Sequence, residues 1–266
     1  MSDDALQRLL ADACLEVAPD DDPSALVDAL VARYDLPEED ARALRAMPAR
    51  LSLYRTLVRN TLGDVVFAML RRTHARAERV SPGLFANELS AFLASVGPKS
   101  PYLRDVPHDF AAWLAPRLRA RATHAWLADS AAYELAEYTV SAAEEPEAPA
   151  VAEVSLDAPL VFRRARALVR LESAVHRMAD TDEAPVATPA TVLVYRDDGH
   201  AARFLELSPL AATIVEALFD GAPLSRALEQ ACARHGTALD DTVLAGAARL
   251  LSDLGERGLL LGARAA

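Results

Sequence analysis

Along the first half of the chain, apolar residues recur three and four positions apart, whereas short runs of alternating or continuous β-branched residues occur only beyond residue 160. The first pattern predicts helices. Leu6, Leu9, Leu10, Ala13 and Val17 form one stripe that Pro19 ends, and Asp22-Pro23 restarts it as a cap with Pro at the first helical position before Leu26, Leu30 and Val31. Leu36-Pro37-Glu38-Glu39-Asp40 opens a third helix, its acids in the first turn where the helix dipole favours them. After Pro48 a long stripe runs from Leu51 to Leu70, with Gly63 as a candidate bend or division. Ser81-Pro82 caps a helix that Gly97-Pro98 ends, and two further helices are expected at Phe110 to Leu118 and Thr123 to Val140.

Residues 141–159, which include SAAEEPEAPA, show no apolar period and read as a linker. Beyond them Ala167 to Leu171, Thr191 to Tyr195 and Phe204 to Leu207 are candidate strands. Asp198-Gly199 between the last two signals a two-residue hairpin turn. That turn implies a register pairing Tyr195 with Ala202 and Leu193 with Phe204. It puts Leu193, Tyr195 and Phe204 on one face and Val192, Val194 and Leu205 on the other. Helices at Pro209 to Phe219, Pro223 to Arg234 and Asp240 to Glu256 follow, and Gly258 to Leu261 forms a last extended piece. The expected fold is α+β, mostly α. An acidic helical extension (1–40) and a helical domain (41–142) precede a linker (143–159) and a small winged-helix-like domain (160–266) built from a hairpin or three-stranded sheet and three helices.

Charge sharpens this division. The net charge of −11 is spread unevenly: −10 over residues 1–40, +8 over 41–130 and −7 over 131–160. Lys99 is the lone lysine among 28 basic residues, so arginine abundance reflects compositional bias and is no sign of phosphate recognition. The acidic N-terminus and the lack of a long uncharged apolar run give no export or spanning signal, which predicts a cytoplasmic chain without membrane contact. Cys14 and Cys232 lie far apart inside helical patterns and read as two buried thiols.

No catalytic signature emerges. The six histidines form no zinc-gripping pair, and the nucleophile elbow, the P-loop and the dinucleotide fingerprint are missing. Asp20-Asp21-Asp22 lacks the alternation, central glycine and terminal glutamate of a calcium loop. A binding module remains, of one of two classes. Docking in a DNA groove would require a basic last helix, but Asp240 to Glu256 carries Arg249 against four acids. Strand addition requires only an open sheet edge and an apolar cleft. On that reading Tyr195, Ala202, Arg203, Phe204 and Leu205 of the hairpin, with Arg249 of the last helix, are the candidate peptide-binding residues. The basic block, through Arg55, Arg59, Arg71 and Arg72, is the candidate docking surface for an acidic partner, unless those arginines pair with the acidic residues 1–40 of the same chain.

Several segments resemble a known family. Arg50-Leu51-Ser52-Leu53-Tyr54-Arg55, Phe92-Leu93 before the Pro98 to Leu103 turn, Phe110, and Ala125-Trp126-Leu127-Ala128-Asp129 followed by Tyr133-Glu134-Leu135-Ala136 look like the helical domain of HvfC/BufC proteins, to which MbnC is related. Leu205 to Ala212, Phe219 to Leu224 and Leu254 to Leu260 are similar to the end of those proteins and to PqqD-like RiPP recognition elements. The resemblance covers about residues 41–262. It implies a non-catalytic accessory subunit that needs no cofactor of its own. Such a subunit holds the leader of a ribosomally made precursor peptide and presents it to a TIM-barrel multinuclear non-haem iron oxidative enzyme, where the iron resides. The family has also been labelled DNA-binding, so a winged-helix transcriptional regulator is the alternative, although the acidic last helix makes nucleic acid the poorer partner. The acidic residues 1–40 lie outside the resemblance.

Overall fold

A computed structural model describes residues 3–15, 22–146, 151–179 and 184–264. The chain is α+β and mostly helical, and it divides into two compact units, Met1–Ala131 and Ala132–Ala266.

The first unit is helical. It contains α1 (Asp3–Leu15), α2 (Pro23–Tyr34), α3 (Glu38–Arg45), α4 (Pro48–Met69), α5 (Arg71–Val80), α6 (Leu84–Ser95), α7 (Val106–Arg119) and the start of α8 (Ala125–Ala142). The Asp22 side chain caps α2 by accepting from Ser24 N, as the Asp-Pro signal predicts. Asp20 and Asp21 of the same acidic run lie outside the described residues. The long stripe after Pro48 is divided at Leu70, not at Gly63. Leu70 leaves helical geometry at φ −117° and ψ 35°, while Gly63 sits buried inside α4. Its core includes two patches among the described residues. Ala13, Leu26, Val27, Leu30 and Leu51 join α1, α2 and α4. A chain of rings from Phe67 through His74, Phe85, Phe110 and Phe92 to Trp113 joins α4 to α7, with centroid spacings of 4.7 to 5.7 Å.

The second unit holds two three-stranded antiparallel sheets. In one, β3 (Arg166–Leu171), β4 (Ala190–Arg196) and β5 (Ala202–Leu207) lie in that order. In the other, β6 (Leu260–Arg264) runs between β1 (Val151–Ala152) and β2 (Leu160–Phe162). Thus the stretch 143–159 contains a short strand, and the last extended piece pairs with it. Helices α9 (Pro209–Phe219), α10 (Leu224–His235) and α11 (Asp241–Glu256) match the three expected after the hairpin. Leu193, Tyr195 and Leu207 pack against Val215 of α9 and Leu254 of α11, and a second cluster joins α9, α10 and α11 through Ile214, Leu228 and Leu251.

Candidate functional site

The hairpin register departs from the expected one by a residue. Tyr195 lies opposite Arg203, Leu193 opposite Leu205 and Arg196 opposite Ala202. The loop accounts for the shift. His200 N donates to Asp197 O and Asp197 N to Ala201 O, so three residues, Asp198 to His200, close the loop beyond the bonded Asp197–Ala201 pair instead of two. His200 takes the left-handed conformation at φ 61°, the geometry of a type I turn followed by a bulge. The Asp197 carboxylate fixes this loop by accepting from Ala201 N at 2.9 Å and from Arg203 Nε at 2.6 Å. These bonds, the Arg203 contact foremost, hold Asp197 below the usual carboxylate range.

One residue of shift moves Phe204 to the other face. Leu205 and Leu207 join Leu193 and Tyr195 toward the helices, while Phe204 packs on Tyr133 of α8 with ring centroids 5.0 Å apart. Glu206 shares that face. It accepts from His176 Nε2 at 2.9 Å and from Arg177, whose guanidinium depresses its pKa most, and so it ties the Val175–Arg177 turn to β5.

β5 is an edge strand. Because Asp197 bonds Ala201, strict antiparallel alternation makes Arg203, Leu205 and Leu207 the residues bonded to β4. The main-chain groups of Ala202, Phe204 and Glu206 therefore point away from the sheet, and no described strand pairs with them.

The structure gathers Ala202, Arg203, Phe204 and Leu205 on this edge and places Tyr195 beside them, but facing inward. Tyr195 is 2% exposed, and its hydroxyl accepts from Arg257 Nη1 at 3.0 Å. Arg257 also donates to Asp253, and the two contacts raise its pKa. Arg249 is not brought to the edge. It is exposed on α11 one residue from Leu250, hence about 100° around the helix from the side that packs on the hairpin.

The four candidate docking arginines separate into two pairs. Arg55 Nη1 donates to Ala13 O at 3.2 Å, and Arg59 donates to Leu15 O at 2.7 Å and Ser90 Oγ at 2.8 Å. Both therefore satisfy carbonyls at the C-terminus of α1, where the dipole favours cations. Burial and the neighbouring Arg55 charge lower the Arg59 pKa. Arg71 and Arg72 open α5, with Arg71 exposed and Arg72 half-buried.

The sequence does not announce a cavity of about 610 Å³ beyond the end of β5, in which apolar walls such as Leu168, Leu171 and Leu207 meet the polar side chains of Arg170, Glu206, Ser208, Thr213, Arg234 and His235. Its parts lie on β3, β5, α9 and α10, so no local spacing announces it. Glu216 pairs with both Arg170 and Arg234 nearby. Among the described residues no three His, Cys, Asp or Glu side chains are placed to hold a metal ion, and no helix is long and apolar enough to cross a membrane.

Residues 163–255 match the family model of the HvfC C-terminal domain. The match begins just before β3 and ends within α11, so it takes in the sheet with its β5 edge and leaves β1, β2 and β6 outside. An HvfC-type domain points to an accessory protein family and, through it, to a partner protein. No curated protein matches the chain.

Proposed function

We propose that this protein is a non-catalytic accessory subunit that captures the leader of a ribosomally made precursor peptide by strand addition along β5. It then presents the peptide to an iron-dependent TIM-barrel oxidative enzyme. The observation that carries this reading is the open edge of β5 inside the HvfC-type region. Ala202, Phe204 and Glu206 offer main-chain donors and acceptors in register, and an exposed strand edge is a template for an extended chain. Phe204 and Leu205 line opposite sides of that edge and would meet alternate side chains of the incoming strand. Arg71 is the better placed of the four basic residues for docking the enzyme, since it is exposed at the start of α5 while Arg55 and Arg59 already serve α1.

Ala202→Pro tests the reading. It removes an outward N–H while leaving the β4–β5 bonds in place, a position where a sheet tolerates Pro. We expect affinity for the precursor peptide, measured by calorimetry, to fall by about tenfold, the equivalent of one good main-chain hydrogen bond. Unchanged affinity overturns strand addition at β5. Nothing in the geometry favours the DNA-binding alternative: α11 is acid-rich, and Asp198 at the hairpin tip is held by Arg163.

A further inference from the structure

A second groove lies between α11 and β6, lined by the α11 residues that follow the hairpin-packing Leu250 and Leu254, about 100° further around the helix. It is apolar, about 600 Å³ in volume, and walled by Leu244, Ala248 and Leu251 of α11, Leu261 of β6, and Val154 and Leu156 of the segment after β1. Its origin is local. Gly262 lets β1 press against β6, since a Cβ there would lie 2.7 Å from Ala152 O. Beyond Ala152 the chain leaves the sheet, and Leu156 O accepts from Ser225 N of α10 at 2.9 Å, which holds the segment away from β6. On the other side, β2 shifts register so that Val161 faces Gly262 and Phe162 faces Leu260. Leu261 is thereby the bulged residue of β6, opposite no single residue of β2 and beyond the last residue of β6 that β1 pairs. The helix wall is kept low by Ala248 and by Gly255, whose Cβ would meet nothing within 4 Å.

A bulged strand position beside an aliphatic floor suits an occupant in extended conformation that lays apolar side chains into the groove. The charge around it selects further. Glu153 and Asp157 flank the two rim residues and Glu256 follows Gly255, all three exposed, with Arg264 at the far end of β6. We propose that this groove binds an extended peptide segment with alternating aliphatic side chains and basic flanks. The proposal is independent of peptide capture at β5, because most of the groove's strand wall lies outside the HvfC-type match.

The test uses the full chain and a fluorescein-labelled probe peptide, Arg-Leu-Thr-Leu-Thr-Leu-Arg, followed by fluorescence anisotropy. Saturable binding is expected, and Ala248→Trp, which fills the groove from an exposed position, should weaken it by at least about tenfold. Leu156→Asp at the exposed rim should act in the same direction without touching the core. Glu153→Lys combined with Asp157→Lys should cost about threefold, within the range of exposed ion pairs. Ala202→Pro should leave this probe's affinity unchanged, so failure here and failure at β5 are read separately. The proposal is overturned by unchanged affinity in both Ala248→Trp and Leu156→Asp. It is equally overturned by a probe with Asn for Leu that binds as tightly, or by self-association of the chain that Ala248→Trp abolishes while the probe never binds.

Discussion

The tip of the β4–β5 hairpin is held by a small set of contacts in which each residue type has a physical reason. Arg163 pairs with Asp198 and donates through Nε to Gly258 O, which brings the turn after α11 against the tip. Gly258 sits at φ 69°, and a Cβ there would meet both Asp198 oxygens near 3.0 Å. Gly258→Ala should therefore lower stability by about 1–2 kcal/mol through left-handed strain and the contact with Asp198, read as a reduced midpoint in urea. The two carboxylates that fix the hairpin make a pH prediction. Asp197 and Glu206 are both depressed in the folded state, so what they contribute is fully present above their ordinary values of 3.8 and 4.5. It is lost as pH falls through the lower folded values. The amide signal of Ala201 and the Nε–H signal of Arg177 should thus hold their positions down to the ordinary carboxylate range and shift only below it. A shift beginning at neutral pH would contradict these contacts. Cys14 behaves oppositely: burial raises its thiol above 9.0 despite nearby Arg55, so it should resist alkylation at pH 8 until the protein unfolds.

At the scale of elements, patterns confined to one segment were legible and those needing a distant partner were not. Helices α9 to α11 follow from capping and stop signals within a few residues of each end, as with Ser208 accepting from Ala211 N and Asp240 from Val243 N. The hairpin was legible as an element but not in register. The Asp-Gly pair suggests a two-residue turn, whereas the side-chain bonds of Asp197 select a three-residue loop with His200 left-handed. Strands β1 and β2 escaped notice because two or three residues carry too little alternation. Their pairing depends on β6, about a hundred residues away. The open β5 edge was anticipated from the hairpin itself, but the inward burial of Tyr195 and the turned-away Arg249 follow from packing that no local pattern encodes. Likewise, the arginines on α4 read as surface charge, yet two of them cap α1. Arg59→Ala should cost about 1.5–3 kcal/mol, the worth of hydrogen bonds made by a charged donor, measured by thermal unfolding. The loss should be smaller for Arg71→Ala at the exposed start of α5.

Across the whole molecule, the uneven charge means that the two proposed kinds of recognition should differ in their response to salt. Much of the positive charge in residues 41–130 is used internally: Arg45 bonds Asp28, Arg117 and Arg121 converge on buried Glu88, and Arg55 and Arg59 serve α1. What remains for a partner is a modest exposed set that includes Arg71, and docking through it would be weakened by screening. The proposed capture of a leader at β5 would rest instead on main-chain hydrogen bonds and on Phe204 and Leu205, contacts that salt scarcely alters. Nucleic-acid binding would respond most steeply, since each neutralised phosphate adds nearly one to the slope of log affinity against log salt. Between 0.1 and 0.5 M salt, precursor affinity should therefore change by less than about threefold, as expected where few exposed ion pairs contribute. Over the same range, affinity for the proposed partner enzyme should fall clearly, and Arg71→Glu should reproduce part of that fall at low salt without moving the precursor affinity. If precursor affinity instead drops together with partner affinity, charge and not the β5 edge governs peptide capture. Isothermal titration of the same protein at the two salt concentrations separates these outcomes.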